Sequence, residues 1–239
     1  MHRHFIILGG AYSIGSRIAL HFIADDDKTS NEVHKIVKKL VEKYGNAIST
    51  HSVYSEDKTW KSLVKADMYF DDVNVIEDVN EFMNLLEKNL TLTSADIANY
   101  ILSVRKCTHL ELEKLVYLCY AEYLCKYNKK LFEDKIYAFR YGPVCQKVFN
   151  KYKDKGSEKL KCKEELKLAL KSRIYNSEDG LKKAKVVDYI LEKYKDCTAR
   201  DLVNITHKKD SPWDKVYDAS NFNEIPDELI VRYHKNEIE

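Results

Sequence analysis

Residues 108–124 read THLELEKLVYLCYAEYL. Apolar side chains recur in this segment at spacings of three and four, which is the period of a helix with one broad apolar face. Because a face of that width has to be buried against other elements, we predict that this helix forms the centre of a helical domain. The face comprises Leu112, Leu115, Val116, Cys119, Tyr120, Tyr123 and Leu124.

Helix starts are marked both here and elsewhere in the later part of the chain. Thr108 is followed three residues later by Glu111, and this spacing is typical of a capping box, in which two side chains satisfy the free amides of a helix start. Two other pairs share the spacing, Thr93 with Asp96 and Thr198 with Asp201. Periodicity and flanking residues predict further helices over residues 144–152, 164–175, 180–194, 198–206 and 226–234.

The pattern is different between residues 129 and 141, where the apolar period shortens and favours a β-hairpin. Gly142 and Pro143 are expected to stop the second strand of that hairpin. Proline is well suited to the first position of a helix, because its missing N–H would be unpaired there anyway. We therefore predict that the next helix starts with Pro143.

The first 90 residues alternate between strand-like and helix-like segments. Residues 5–8 form a short apolar run, and Gly9 and Gly10 are expected to turn the chain into a helix over residues 13–24. A second helix is expected to end at Gly45. A strand over residues 47–54 and a helix over residues 59–66 follow.

Together these patterns predict an α+β protein with two domains and a boundary at about residues 89–93. Residues 1–90 are expected to form a small α/β domain. Residues 91–239 are expected to form a mainly α-helical domain with one small β-hairpin.

Charge is distributed unevenly along the chain. Residues 1–90 hold 11 Lys and Arg against 14 Asp and Glu, whereas residues 91–239 hold 29 against 24. Within the second part, residues 151–171 interleave eight lysines with four acids, which is typical of a solvated helix surface. Nucleic acid is therefore not an expected partner. Residues 67–87, in contrast, hold seven acids and neither Lys nor Arg, so an acidic surface is expected there.

The six cysteines lack the C-x-x-C spacing of zinc and redox sites, so we expect buried free thiols and no metal. The chain has no apolar run of the ~20 residues that a membrane-spanning helix needs, and its first residues lack the features of a signal peptide. We expect a cytoplasmic protein without a membrane segment.

The turn at Gly9, Gly10 and Gly15 resembles the glycine-rich turn of short-chain dehydrogenases, which is of the Rossmann type. In such a turn, glycines let the backbone approach a pyrophosphate, and the helix that follows attracts the anion. The rest of that fold is missing, because no second apolar strand ends in an acidic ribose-binding residue. A nucleotide site at this turn is an alternative, and we expect no cofactor.

The later part of the chain resembles a known family in several motifs that occur in a fixed order. They are Leu112–Ala121 (LEKLVYLCYA), Ile136–Val144 (IYAFRYGPV), Thr206-His207 and Ser211-Pro212-Trp213. Over residues 94–214 the chain resembles the Panacea domain of antitoxins, which also occurs in phage-associated proteins and proteolytic-adaptor antitoxins. Two positions depart from the family pattern, with Glu113 in place of Gln and Phe139 in place of Trp.

The resemblance implies that the protein is an antitoxin that binds and neutralises a companion protein toxin. Proteolytic delivery, in which the protein hands the toxin to a protease, is an alternative that the resemblance also allows. Arginine and large aromatic residues carry much of the energy of protein interfaces, so we expect Tyr137, Arg140, Tyr141 and Trp213 to form the partner-binding surface. Because no nucleophile has a base at a recognisable spacing, we expect no catalytic residues.

Overall fold

The computed structural model describes residues 1–11 and 16–238. They form an α+β fold that divides into two compact units, Met1–Leu90 and Thr91–Glu239. Each unit has its own buried apolar clusters.

The N-terminal unit is built on a four-stranded mixed sheet with strand order β3-β1-β2-β4. Strand β1 pairs antiparallel with both β2 and β3, whereas β2 and β4 are parallel. The elements of this unit are β1 (His2–Ala11), β2 (Ser16–Ile23), α1 (Asp27–Tyr44), β3 (Ile48–Ser55), α2 (Trp60–Ala66), β4 (Val73–Ile76) and α3 (Val79–Leu90).

Both faces of this sheet are covered. Ile18 and Leu20 point to one face and pack with α1 and α3, while Ala19 points to the other face and packs with Leu63 of α2. Ile18, Ala19 and Leu20 are therefore buried in succession, and this part of β2 lacks the alternation of a strand with one exposed face. The prediction of a helix over residues 13–24 is wrong for this reason, since residues 16–23 are a strand.

The glycine-rich turn expected after β1 is also wrong. Gly9 and Gly10 lie within β1, opposite Ile18 and Arg17 of β2, and Gly15 lies outside the described residues. A Rossmann-type phosphate site needs a helix to begin just after the strand, and β2 stands in that place. A Cβ at Gly9 would meet Leu86 of α3 at 3.1 Å. The glycine therefore lets α3 pack closely on the sheet, and the nucleotide-binding alternative has lost its basis.

Helix α5 is the central helix of the C-terminal unit, as predicted, and it is buried along most of its length. Helices α4, α8, α9 and α10 and strand β6 all pack on α5. The elements of this unit are α4 (Ser94–Val104), α5 (His109–Tyr127), β5 (Ile136–Phe139), β6 (Gly142–Cys145), α6 (Gln146–Tyr152), α7 (Lys167–Tyr175), α8 (Gly180–Lys193), α9 (Ala199–Thr206), α10 (Asp227–Tyr233) and α11 (Lys235–Ile238).

All three predicted capping boxes are present, at the starts of α4, α5 and α9. The one on α5 is reinforced, because the carboxylate of Glu111 also accepts a hydrogen bond from Lys159 Nζ at 2.7 Å. The start of α5 is therefore tied to a segment almost fifty residues further along the chain.

A hairpin is present, but it lies further along the chain than predicted. Only its first strand, β5, falls within residues 129–141, and the second strand begins at Gly142, where it was expected to stop. Gly142 and Pro143 belong to β6, and helix α6 begins at Gln146 instead of at Pro143. Pro143 is opposite Ala138, whose N–H donates to Asn223 O on the other side of β5. Ala138 and Pro143 therefore form a pair that exchanges no hydrogen bonds between the two strands. Proline has no N–H, and at this position none is needed.

The cysteines are all free thiols. Cys107, Cys119 and Cys145 are buried as expected, Cys162 and Cys197 are half-buried, and Cys125 is exposed, contrary to the expectation. Among residues 1–11 and 16–238, no helix is long and apolar enough to cross a membrane.

Candidate functional site

The motifs singled out in the C-terminal unit meet around one residue, Gly142. Its φ is +106°, a conformation that side chains other than glycine rarely adopt. A Cβ at this position would lie 3.0 Å from Lys114 Cε, 3.0 Å from Thr206 Oγ1 and 3.2 Å from His207 Nε2. Helix α5, strand β6 and the end of α9 therefore approach each other at a point that only glycine can occupy.

Lys114 is the charged residue at the centre of this junction and is completely buried. Its Nζ donates to Pro143 O at 2.9 Å and lies 3.8 Å from the Glu113 carboxylate. Burial lowers the pKa of Lys114 to about 8, whereas burial raises the pKa of Glu113. The hydrogen bond from Lys114 to Pro143 O connects α5 to the hairpin and fixes the position of β6.

Trp213 closes the same junction from the C-terminal side. Its ring stacks on His207, with the centroids 3.7 Å apart and the planes at 5°, and on its other neighbour Tyr217 at 4.3 Å. Its Nε1 donates to Phe139 O at 2.8 Å. Trp213 is only 8% exposed. This side chain holds β5 in place, and its contact with a partner stays a prediction.

His207 completes the stack as a neutral ring. Burial, with a smaller contribution from the positive charge of Lys114, lowers the pKa of His207 to about 4. Its Nε2 is buried and has no hydrogen-bond partner among the described residues. A protonated ring would place a second charge beside Lys114, so the junction favours the neutral form of His207.

The tip of the hairpin lies outside this buried junction. Arg140 is exposed, Tyr141 is 58% exposed, and the guanidinium lies 5.5 Å from the centre of the Tyr141 ring. Among the residues that the structure describes, Arg140 forms no ion pair. Tyr137 is half-buried on β5 and forms a bridge with Glu224. Three of the four predicted site residues are thus on or near the hairpin tip, and Trp213 is behind it.

Sequence reasoning missed a neighbouring aromatic residue, Phe222. It is 72% exposed, and its ring centre is 4.4 Å from that of Phe139. Phe222 lies in an irregular segment between two asparagines, without any periodic pattern that would have marked it. Its position beside the hairpin comes from the pairing of residues 223–225 with β5.

The part of the chain that forms this junction matches a known family model. Residues 112–214 match the family model described as Antitoxin SocA-like, Panacea domain. The chain carries a Panacea domain. The matched residues include most of α5, the hairpin, α9 and Trp213, and so all the side chains around Gly142. The whole chain matches no curated protein and no solved structure at a significant level.

Within the part of the chain that is described, no group of three or more His, Cys, Asp or Glu side chains is arranged to hold a metal ion. Two histidines of the C-terminal unit, His207 and His109, are engaged in its internal structure. His207 is stacked on Trp213, and Nδ1 of His109 is 2.7 Å from Gly156 O.

Proposed function

We propose that this protein is an antitoxin that neutralises a companion protein toxin by binding it directly. The observation that carries the proposal is the match of residues 112–214 to the antitoxin-like Panacea domain. We further propose that the tip of the β5–β6 hairpin, with Tyr137, Arg140 and Tyr141, is the surface that contacts the toxin.

The arrangement of the tip supports a binding role. Exposed arginine and tyrosine are the residue types that dominate interface energies. Arg140 has no carboxylate partner among the described residues, so it is available to pair with one on another protein. The strands behind it are held by Gly142, Lys114 and Trp213. Side chains on such a supported turn lose less conformational entropy on binding than side chains on a mobile loop.

We also propose that the Panacea domain acts without catalysis. Two titratable groups of the junction with shifted pKa values, Glu113 and Lys114, are buried, and Lys114 contacts both the Glu113 carboxylate and β6. A perturbed pKa in a cleft would suggest a reactive group, but these side chains have no exposed surface on which a substrate could lie.

The antitoxin proposal is tested by co-expression with the protein encoded by the reading frame beside this chain's gene. We expect that protein to stop growth when expressed alone and to be harmless and bound in a complex when this chain is present. Growth arrest that persists despite production of the folded chain would contradict the proposal. Loss of the neighbouring protein only in cells with an active protease would instead favour proteolytic delivery.

The role of the hairpin tip is tested by Arg140→Ala. We expect binding to weaken by about 2 kcal/mol, a factor of about thirty in Kd, because an exposed interface arginine loses its partner. The melting temperature should stay unchanged, since Arg140 supports no ion pair among the described residues.

Arg232→Ala is the matched control for this variant. Arg232 is also exposed and lies over an adjacent tyrosine ring, at 5.3 Å from the centre of Tyr233. Its removal should leave binding unchanged. Equal effects of the two substitutions would show that the contact surface lies elsewhere.

A further inference from the structure

The outer strand β3 of the N-terminal sheet has an open edge. It is the first strand in the order β3-β1-β2-β4, so one side of it pairs with β1, and among the described residues no strand pairs with its other side. Strand β3 is eight residues long, whereas β4 at the opposite edge of the sheet has four. Four residues of β3 are exposed to solvent, namely Ser49, Thr50, Ser52 and Tyr54.

The hydrogen bonds of β1 show which groups of β3 point outward. Arg3 O accepts from the Ala24 amide at 2.9 Å, and alternate residues of an antiparallel strand bond to opposite sides. The odd-numbered residues of β1 therefore bond toward β2, and the even-numbered ones bond toward β3, where their partners are odd-numbered. The even-numbered residues of β3 consequently direct their N–H and C=O groups away from the sheet. They are Ile48, Thr50, Ser52 and Tyr54.

Three of these outward N–H groups are unpaired. The Ile48 amide donates to Gly45 O, whereas the amides of Thr50, Ser52 and Tyr54 have no hydrogen-bond partner within residues 1–11 and 16–238. The three unpaired amides are evenly spaced and centred on Ser52. The outer edge of β3 is therefore a row of donors and acceptors to which another strand can bind.

Nothing in the sequence of β3 protects this edge. Proteins usually block an open edge with a lysine, a proline or a covering segment. The hairpin of the C-terminal unit has such a segment, because residues 223–225 pair with the outer side of β5. Strand β3 reads ISTHSVYS and contains neither Lys, Arg, Asp, Glu nor Pro.

A second copy of β3 satisfies the open groups in a single register. With a two-fold axis at Ser52, antiparallel pairing places the two Ser52 residues opposite each other and Thr50 opposite Tyr54 of the other copy. Each of the three unpaired amides then meets a carbonyl of the other strand. A tyrosine beside a β-branched residue is a favourable cross-strand pair, and no two charged residues of the strands face each other.

We propose that β3 is a dimerisation strand, through which two copies of this chain pair antiparallel about Ser52 and form one continuous sheet. A foreign strand would be selected by pockets or charges that fit its side chains. The exposed side chains at Ser49, Thr50 and Ser52 are small and uncharged and provide neither, whereas an identical strand needs no such selection. This inference does not depend on the proposed antitoxin function.

The test is the oligomeric state of the purified full chain, measured by sedimentation equilibrium up to roughly 100 µM, since a small interface gives weak association. We expect a dimer. Ser52→Lys places two lysines opposite each other at the axis, close to Arg3, whose Nε donates to Ser52 Oγ at 3.0 Å. This repulsion should raise the dimer Kd by about tenfold or more. Ser52→Lys mixed with Ser52→Glu should form a heterodimer at least as tight as the unmodified dimer, because opposite charges then meet at the axis.

Asn31→Lys is the matched control. It adds the same charge at an exposed position of the same unit, on α1 instead of β3, and should leave the dimer Kd unchanged. Circular dichroism spectra of all variants should coincide with that of the unmodified chain, because each changed side chain is exposed.

Three results would overturn the inference. The first is an unmodified chain that stays monomeric over the whole concentration range, including one that pairs only with the toxin. The second is a dimer that Ser52→Lys weakens no more than Asn31→Lys does, since the interface then lies on another surface. The third is a failure of the Lys and Glu variants to pair with each other, since Ser52 then does not lie on the axis. The co-expression experiment tests the antitoxin function separately, so each proposal can fail without the other.

Discussion

At the scale of single residues, Gly142 lies where α5, β6 and the end of α9 meet. Its φ is positive, and a Cβ there would lie 3.0–3.2 Å from three side chains, which is closer than an ordinary contact. Two separate costs therefore apply to any substitution there, one from the strained backbone and one from overpacking. The residue matters for the shape of the hairpin, and through it for the position of Arg140.

We predict that Gly142→Ala destabilises the protein more than Gly156→Ala does. Gly156 also has a positive φ, +53°, but nothing lies within 4 Å of a Cβ there. Strain is common to both substitutions, so the difference, about 1–3 kcal/mol, reports the overpacking against Lys114, Thr206 and His207. Urea unfolding of the two variants measures it, and equal free energies of unfolding would show that the junction can open without cost.

At the scale of elements, helix α5 organises the C-terminal unit, and its start is defined by Thr108. The hydroxyl accepts from the Glu111 amide at 3.3 Å, and the Thr108 amide donates to the Glu111 carboxylate at 2.6 Å. The cap therefore satisfies two amides that would otherwise be unpaired in a partly buried place. Because other helices and β6 pack on α5, a frayed start would disturb more than one contact.

We predict that Thr108→Ala lowers the free energy of unfolding by ~1 kcal/mol, the usual value of an N-cap. Thr108→Ser keeps the hydroxyl and should lose only a small part of this. Thermal and urea unfolding of both variants provide the comparison. Similar losses for Ala and Ser would mean that the methyl group of Thr108, and not the cap, is what stabilises the helix.

At the scale of the whole molecule, the chain consists of two compact units that meet in sequence at Leu90 and Thr91. The C-terminal unit contains the whole matched family region, the hairpin and Phe222. It has one extended apolar core of its own around α5. We therefore propose that it is an independent domain, and that the N-terminal unit is a second one.

We predict that a fragment of residues 91–239 folds alone, with a single cooperative unfolding transition in urea. The same fragment should bind the toxin with a Kd within a few-fold of that of the full chain, because the proposed contact residues all lie in it. A fragment without a cooperative transition would contradict the division into domains. A folded fragment that does not bind would move the contact to the N-terminal unit, with its acidic stretch at residues 67–87.

The sequence by itself determined the elements whose signals are local. The apolar period of α5, the three capping boxes and the glycine after α1 each depend on residues within one or two turns of each other, so their helices could be predicted. The family resemblance also came from sequence alone, because its motifs are contiguous. It brought Tyr137, Arg140 and Tyr141 forward as candidates without showing where their side chains lie.

Tertiary structure decided the rest, because burial on two faces and pairing between distant segments leave no local pattern. Strand β2 was mistaken for a helix since both of its faces are covered. Pro143 was predicted to start a helix. The Ala138 N–H donates to Asn223 O, far along the chain, and only this bond shows that no N–H is needed at position 143 of β6. The exposure of two aromatic residues, Trp213 and Phe222, was likewise decided by tertiary contacts. The first is buried by the stack with His207 and Tyr217, and the second is held at the surface by the pairing of its neighbours with β5.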